Sequence, residues 1–395
     1  MRINIDFETR SRIDLKKAGA FRYASDPSTE ILCLCWKILG QEKVYSWSPF
    51  FKLDDIESLF KLIEEGAEIS AHNVHFEWAM WNYCAVKKYN FPPLFFDKVI
   101  CTAAKSNALA LPRDLETCAK VLGLSVQKDM VGRRIMLKMC KPNSKGLWHE
   151  DKEDFRKLIE YCKKDVIVQE LVDKMLPDLS PEEYKIFQMD FQINRRGVYL
   201  DETAIQSAID IANDYALKLN SELSDLTSGE VKSASQSMAL ARFLTSMDLK
   251  MDSVDKESVD EAMKQTDNPQ LLRILDIRKS LALSSVKKLQ AMQSMMMRDK
   301  KARGTLQFLG ANRTGRWSAK GIQTQNLPRG SVFGEDLNHA FILLKSNNRE
   351  SFYQRFPDVL GTISSCVRGM IVPSPGFKLL SGDFSAIEAR MVFWL

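Results

Sequence analysis

None of the eight cysteines forms a Cys-x-x-Cys pair. That absence removes zinc ribbons and dithiol redox motifs, so all eight are expected to be reduced core residues of a cytoplasm-like compartment. The nearest approach is Cys33 and Cys35, which alternate along an apolar run. No apolar run is long enough to span a bilayer, and Met1-Arg2-Ile3-Asn4-Ile5-Asp6 reads as a strand and not as a signal peptide. The chain is therefore expected to be soluble and cytoplasmic, with no membrane partner. Repeats and low-complexity segments are also missing, which excludes solenoid architectures. His72 and His75 lie three apart with too few nitrogen or sulfur neighbours for zinc. They are expected to be one packed and one exposed histidine. A strong charge excess is lacking too. A net charge of +5 over 395 residues does not specify a nucleic-acid partner, so the distribution of charge has to carry that argument.

What is present is ordinary globular composition, 45% hydrophobic and 27% charged, at a length that implies more than one domain. The first part alternates strand and helix signals. Ile3 and Ile5 begin a strand, and the β-rich run 31–36 is expected to pair with it. Residues 54–65 have helical periodicity, with Ile56, Leu59, Phe60 and Ile63 on one face. Residues 67–71 read as a short strand and 76–86 as a helix. A long polar helix is expected over 152–175, ended by Pro177. Ser180 then reads as an N-cap with Pro181 in the first turn. From 181 to 301 nearly everything reads as helix, with breaks near Gly197, Gly229 and Pro269. Residues 304–328 read as strand and loop. Residues 378–384 read as a strand, and 385–395 as the start of a helix with an apolar end, Met391-Val392-Phe393-Trp394-Leu395.

Asp6 and Glu8 alternate along one strand and so point to one face, where two carboxylates repel unless a cation lies between them. Asn73 reads as a helix cap with Glu77 one turn into that helix. Tyr161 and Asp165 are i and i+4 on the long helix, which puts phenol and carboxylate on one side. Each pair alone is common on solvated surfaces. In the second part, Lys287, Lys288, Arg298, Lys300, Lys301, Arg303, Arg313, Arg316 and Lys320 are opposed locally only by Asp299. Such an excess suits phosphate contacts.

In order, Asp-x-Glu, Asn-x-x-x-Glu and Tyr-x-x-x-Asp resemble the DEDD exonuclease fold in the tyrosine-bearing form found in proofreading DNA polymerases. Thr314-Gly315-Arg316-Trp317-Ser318, Gln325-Asn326-Leu327-Pro328 and Ser381-Gly382-Asp383-Phe384-Ser385-Ala386-Ile387-Glu388 resemble signatures of family A, DNA polymerase I-like, bacteriophage-type polymerases. Arg195-Arg196-Gly197-Val198 and Arg278-Lys279-Ser280 resemble their thumb helices, and 128–134 resembles phage-type members. The resemblance implies an α/β RNase H-like exonuclease domain over 1–178, with a mixed sheet flanked by helices. It implies a mostly helical connector and thumb over 179–303, and the start of an α+β palm over 304–395.

Two Mg²⁺ or Mn²⁺ ions per active site are implied. Asp6 would bridge them, Glu8 and Asp165 would hold one, and Glu77 would complete the outer shell. Tyr161 would orient the attacking water or help deprotonate it. Glu77 stands where the family more often has Asp, one methylene longer with the same charge. DNA contacts are implied for Asn73, Arg313, Thr314, Arg316, Gln325 and Asn326. Asp383 would bind catalytic metal, while Glu388 and Arg368 would face an incoming dNTP. The later family motifs, a fingers Lys with Tyr-Gly and a palm His-Asp-Glu, are not in this sequence. Synthesis is therefore expected only with a separate C-terminal polypeptide, and the location is a host cytoplasm if the source is viral. Two other readings stay open: a primer-template binding or assembly subunit with impaired exonuclease, and a stand-alone 3′→5′ exonuclease.

Overall fold

The computed structural model describes residues 1–125, 129–282, 285–311 and 313–394. The first part is built on a mixed five-stranded sheet. Its strands are β1 (Arg2–Arg10), β2 (Glu30–Ile38), β3 (Val44–Trp47), β4 (Glu68–Ala71) and β5 (Val99–Cys101), in the order β3-β2-β1-β4-β5. β1 runs antiparallel to β2 and parallel to β4.

Alternation along β1 sorts its side chains. Ile3, Ile5 and Phe7 enter an aromatic core with Phe60, Trp78, Trp81 and Phe91. Asn4, Asp6 and Glu8 face the opposite way, onto the long helix Lys152–Met175. There Gln169 Nε2 donates to Asn4 Oδ1 at 3.0 Å and to the Ser70 carbonyl at 2.9 Å. These bonds satisfy buried polar groups that would otherwise cost about 1–3 kcal/mol each. The far end of the helix is tied by Asp173, which accepts from Arg2 at 3.2 Å and Lys105 at 2.6 Å.

The helix expected over 76–86 departs from a single regular helix. It runs as an α-turn His75–Ala79, a π-turn Met80–Ala85 and a last turn Val86–Tyr89. The wider π-turn coincides with two bulky indoles, Trp78 and Trp81, that must both face inward. Their N–H groups donate to the carbonyls of Leu94 and Pro92.

After the long helix, Ser180 caps the helix Pro181–Arg196 through Glu183 N, with Pro181 in the first turn as expected. That helix ends at Gly197, whose φ of 66° and contact with the Ala302 carbonyl leave no room for a side chain. A second apolar core joins the helices Glu202–Leu226, Pro269–Leu281, Ser285–Met295 and Val359–Cys366. Arg278 stitches this bundle by donating to the Val254 and Ala234 carbonyls.

The two cores meet along a seam. Phe187, Phe191 and Phe308 belong to the aromatic core of the first sheet. Asn107 Nδ2 donates to the Phe308 carbonyl at 3.0 Å, and Leu306 N donates to Asn194 Oδ1 at 2.9 Å. The boundary drawn at 178/179 from sequence therefore crosses a continuous packed cluster.

The strand expected over 378–384 does not form. No strand among the described residues pairs with it, and residues 375–394 are exposed throughout. A lone strand without a ladder leaves its backbone groups to water and gains nothing over coil. The helix Ile387–Trp394 does form, and its apolar end faces water: Phe393 is 91% and Trp394 77% exposed. Leu395 lies outside the described residues. Among those described, no helix is long and apolar enough to cross a membrane.

Candidate metal centre

The sheet and the long helix bring the first-half acids together. Asp6 and Glu8 come from one face of β1, and Asp165 comes from the helix lying across it. One carboxylate oxygen from each lies within 4.8 Å of the other two. A hard cation makes bonds of about 2.1 Å to such oxygens, so small side-chain movements close the set around it. Glu77 approaches from the helix His75–Ala79. It is 3% exposed, and its Oε2 is buried with no partner. Buried polar atoms are almost always satisfied, so an orphan oxygen that feels the charges of Asp6 and Glu8 suits a cation ligand.

The electrostatics agree. Burial, and then the charge of Asp165, pushes the Asp6 carboxyl well above its ordinary range. Glu8 is raised by burial and then by Asp6, and Glu77 by the same two causes in the same order. Burial lifts Asp165 to about 6, against a hydrogen bond from Tyr161 that lowers it. Clustered acids with raised values are held apart from full ionisation only until a cation neutralises them.

Tyr161 is kept protonated by burial and by Asp165, so its phenol is a hydrogen-bond donor here and not a base. Its ring rests on Gly132 of the helix Met130–Met139, where any Cβ would collide with it. Asp129 caps that helix through Gly132 N at 2.7 Å and pairs with Lys164 at 2.6 Å. Lys128, the first residue of the 128–134 stretch, lies outside the described residues.

These acids line a cleft of about 520 Å³ whose other walls include Asn73, Lys16, Lys17 and Leu306. A neighbouring cleft of about 530 Å³ shares Tyr161 and Asp165 and adds Arg133 and Lys164. The carboxylates thus sit where two grooves join, each lined by both acidic and basic side chains.

Asn73 does not cap the helix. It adopts a left-handed φ of 74° and accepts from Arg113 Nη2 at 2.5 Å. Neither nearby histidine is exposed. His72 lies between the Thr102 hydroxyl and the Arg113 carbonyl, and burial lowers it to about 4. His75 stacks on Phe187, and burial lowers it to about 3. Both are neutral packing residues.

One cation at the cleft, Lys320, and one that bonds Asn73 of its wall, Arg113, escaped local motif reading. Arg113 sits in a loop that no pattern marks. Lys320 counted only as one more charge in a basic run, yet it reaches the same cleft from the second half. Burial and the nearby Arg113 lower Lys320 to about 8. Other members of that run have ion-pair partners: Arg303 pairs locally with Asp299, and Lys300 with the distant Glu202.

The second-half residues are only partly assembled. Arg316 and Glu388 form an exposed ion pair at 3.1 Å. Arg313 and Thr314 lie in the exposed turn before Arg316, and Gln325 and Asn326 in an exposed 3₁₀ turn. Arg368 anchors that loop by donating to the Leu327 and Pro328 carbonyls at 3.0 Å each. Asp383 is exposed and, among the described residues, joins no cluster of metal-ligating side chains.

Over its whole length the chain is 33% identical to the DNA polymerase of Bacillus phage SP02. It spans 61% of the length of that relative. No protein-family model matches the chain. Among solved structures, the POL domain of Pol1 from M. smegmatis, in complex with DNA primer-template and dNTP, is similar at a TM-score of 0.47 and 12% identity. That similarity covers 82% of this chain and 52% of the other.

Proposed function

We propose that this chain is part of a DNA-directed DNA polymerase of family A, and that its first half is a proofreading 3′→5′ exonuclease of the RNase H-like, DEDD class. The observation that carries the nuclease reading is the convergence of Asp6, Glu8 and Asp165 beside the unpartnered buried oxygen of Glu77. The similarity to a phage DNA polymerase supports the wider reading. The corresponding division is 1–178 for the exonuclease, 179–303 for connector and thumb, and 304–395 for the palm portion.

Asp6, Glu8 and Asp165, with Glu77 behind them, would hold two Mg²⁺ or Mn²⁺ ions. Bound there, these supply positive charge to the attacking water and the departing 3′-oxygen. Oxygen-only donors favour these hard cations over zinc. Tyr161, held as a phenol against Gly132, donates to Asp165 and orients the water beside it. Lys320 places positive charge along the wall where a phosphodiester would lie, and Arg113 holds Asn73 of that wall. An unpaired 3′ end is the preferred substrate, because separating bases from a duplex costs a few kcal/mol.

In the second half, Arg316, with Arg313, Thr314, Gln325 and Asn326, is assigned to primer-template contact. Such contacts test pair shape, since minor-groove acceptors occur on every base pair. Asp383, Glu388 and Arg368 are assigned to the metal and dNTP side. Synthesis needs further palm carboxylate and triphosphate-binding groups, on a continuation of this chain or a second polypeptide.

The test is digestion of a 3′-labelled single strand with Mg²⁺. Asp6→Ala is expected to be slower than wild type by more than about a hundredfold, since even outer-shell partners of a metal ligand cost 10–100-fold. Equal rates for the two proteins would remove the nuclease assignment. Glu77, in place of the commoner Asp, favours the second reading, a primer-template binding subunit with a weakened nuclease. That reading predicts salt-sensitive duplex binding, reduced by Arg316→Ala, with no digestion by either protein.

A further inference from the structure

The carboxylates share their sheet face with sulfur. In the β1/β2 ladder, Asp6 lies opposite Cys35 and Glu8 opposite Cys33. Directly paired residues project to the same side, so both thiols turn with the acids toward the long helix. The helix places Cys162, adjacent to Tyr161, over them. The three Sγ atoms lie within 4.8 Å of one another and are inaccessible to solvent. Ile159, Val166 and Val44 surround them. A fourth donor is at hand, because Cys162 Sγ is 3.3 Å from Asp6 Oδ2.

Three sulfurs from two elements make the set, and one carboxylate oxygen adjoins it at Cys162. Around zinc, with bonds of about 2.3 Å to sulfur, tetrahedral thiolates stand about 3.8 Å apart. The trio therefore needs movements of at most about 1 Å to close on an ion. Thiolates select Zn²⁺-class cations over Mg²⁺, whereas the oxygen-only group on the cleft side selects the reverse.

We infer that Cys33, Cys35 and Cys162 form a site for one thiophilic divalent cation, with Asp6 as its fourth ligand. Each sulfur gives its proton to solvent as it bonds the ion. Asp6 is then common to two sites of opposite preference, a hard one in the cleft and a soft one beneath it. Occupancy of the soft site draws Asp6 Oδ2 away from the cleft. This consequence rests on the nuclease reading, but the existence of the site does not. Because the sulfurs are buried, the ion enters during folding or through slow opening of the helix, not by fast exchange.

The experiment uses the full chain expressed in Co²⁺-supplemented medium and freed of loose metal by gel filtration. Wild type is expected to retain about one Co²⁺ per chain, with intense sulfur-to-cobalt charge-transfer absorption. Cys162→Ser and, separately, Cys35→Ala should lose most of both while keeping wild-type circular dichroism, with melting lowered only by the loss of bound cobalt. A folded wild-type chain without that absorption overturns the site. So does undiminished absorption in a folded Cys33→Ala/Cys35→Ala/Cys162→Ser chain, which would assign the cobalt to other thiols. In a second arm, prolonged incubation with Zn²⁺ at constant Mg²⁺ should slow strand digestion at least about fivefold in wild type but not in Cys162→Ser. Equal inhibition of both would overturn the link to Asp6. If Asp6→Ala digests as fast as wild type, the nuclease reading fails while the cobalt result still decides the site.

Discussion

Two acidic motifs in this molecule meet very different fates. Asp6 sits on a strand with neighbours on both sides and a helix across its face, and the carboxylates of Glu8 and Asp165 come within 4.8 Å of it. Asp383 sits in an exposed segment with no ladder partner among the described residues, followed by a helix whose aromatic residues face water. Both are aspartates in recognisable patterns. A motif becomes a centre only when separate backbone elements fix its side chains against one another, and that holds for the first and not for the second.

The comparison breaks most sharply at Asp6. If residues 375–394 and β1 are as different as described, Asp6→Ala costs more than about a hundredfold in strand digestion. Limited trypsin treatment, meanwhile, cuts first after Lys378 and Arg390, read by mass spectrometry, and leaves β1 intact. Early cleavage within β1 would erase the distinction.

Next in size is a pH effect confined to the buried acids. Asp165 holds its proton up to about 6 in the fold, against 3.8 as its ordinary value. Over that window the folded state binds more protons than the unfolded state. Stability of the metal-free chain therefore falls as pH rises from about 4 through 6, by on the order of 3 kcal/mol for this group alone. Saturating Mg²⁺ should offset the loss by about 2.7 kcal/mol at a hundredfold excess over its dissociation constant. Urea melts at pH 4.5 and 7.5, with and without Mg²⁺, check the sign. A metal-free chain that gains stability across this range would show that the acids are not clustered in solution.

Gly132→Ala is expected to displace the Tyr161 ring and slow digestion about tenfold, in the range of lost positioning around a metal site. Circular dichroism and melting should stay near wild type. A normal rate would mean that Tyr161 has no orienting role. The smallest effect belongs to the exposed pair of Arg316 and Glu388, with 70% and 82% of their side chains accessible. Glu388→Ala should change stability by less than about 1 kcal/mol, since water screens such a pair. A larger loss would show that the second region is more ordered than its exposure implies.

Much of the first half is legible in the order of residues. The helix Lys152–Met175 matches its expected bounds, and β1, β2 and β4 fall where alternation and β-rich runs put them. Local patterns failed where a distant partner intervened. Asn73 reads as a cap until Arg113 claims its side chain. Residues 76–86 read as one helix until two indoles force a wider turn.

By itself, the amino-acid sequence determined which side chains share a strand face or a helix side, because periods of 2 and 3.6 are local properties. It therefore determined that Asp6 accompanies Glu8 and that Tyr161 accompanies Asp165. Only the tertiary structure decided that these two pairs meet each other, that Glu77 joins them with an oxygen left over, and that three thiols close in beneath. Those meetings depend on strand register and on how helices dock against the sheet, between residues far apart in the sequence. Packing selects that geometry, and no local period encodes it.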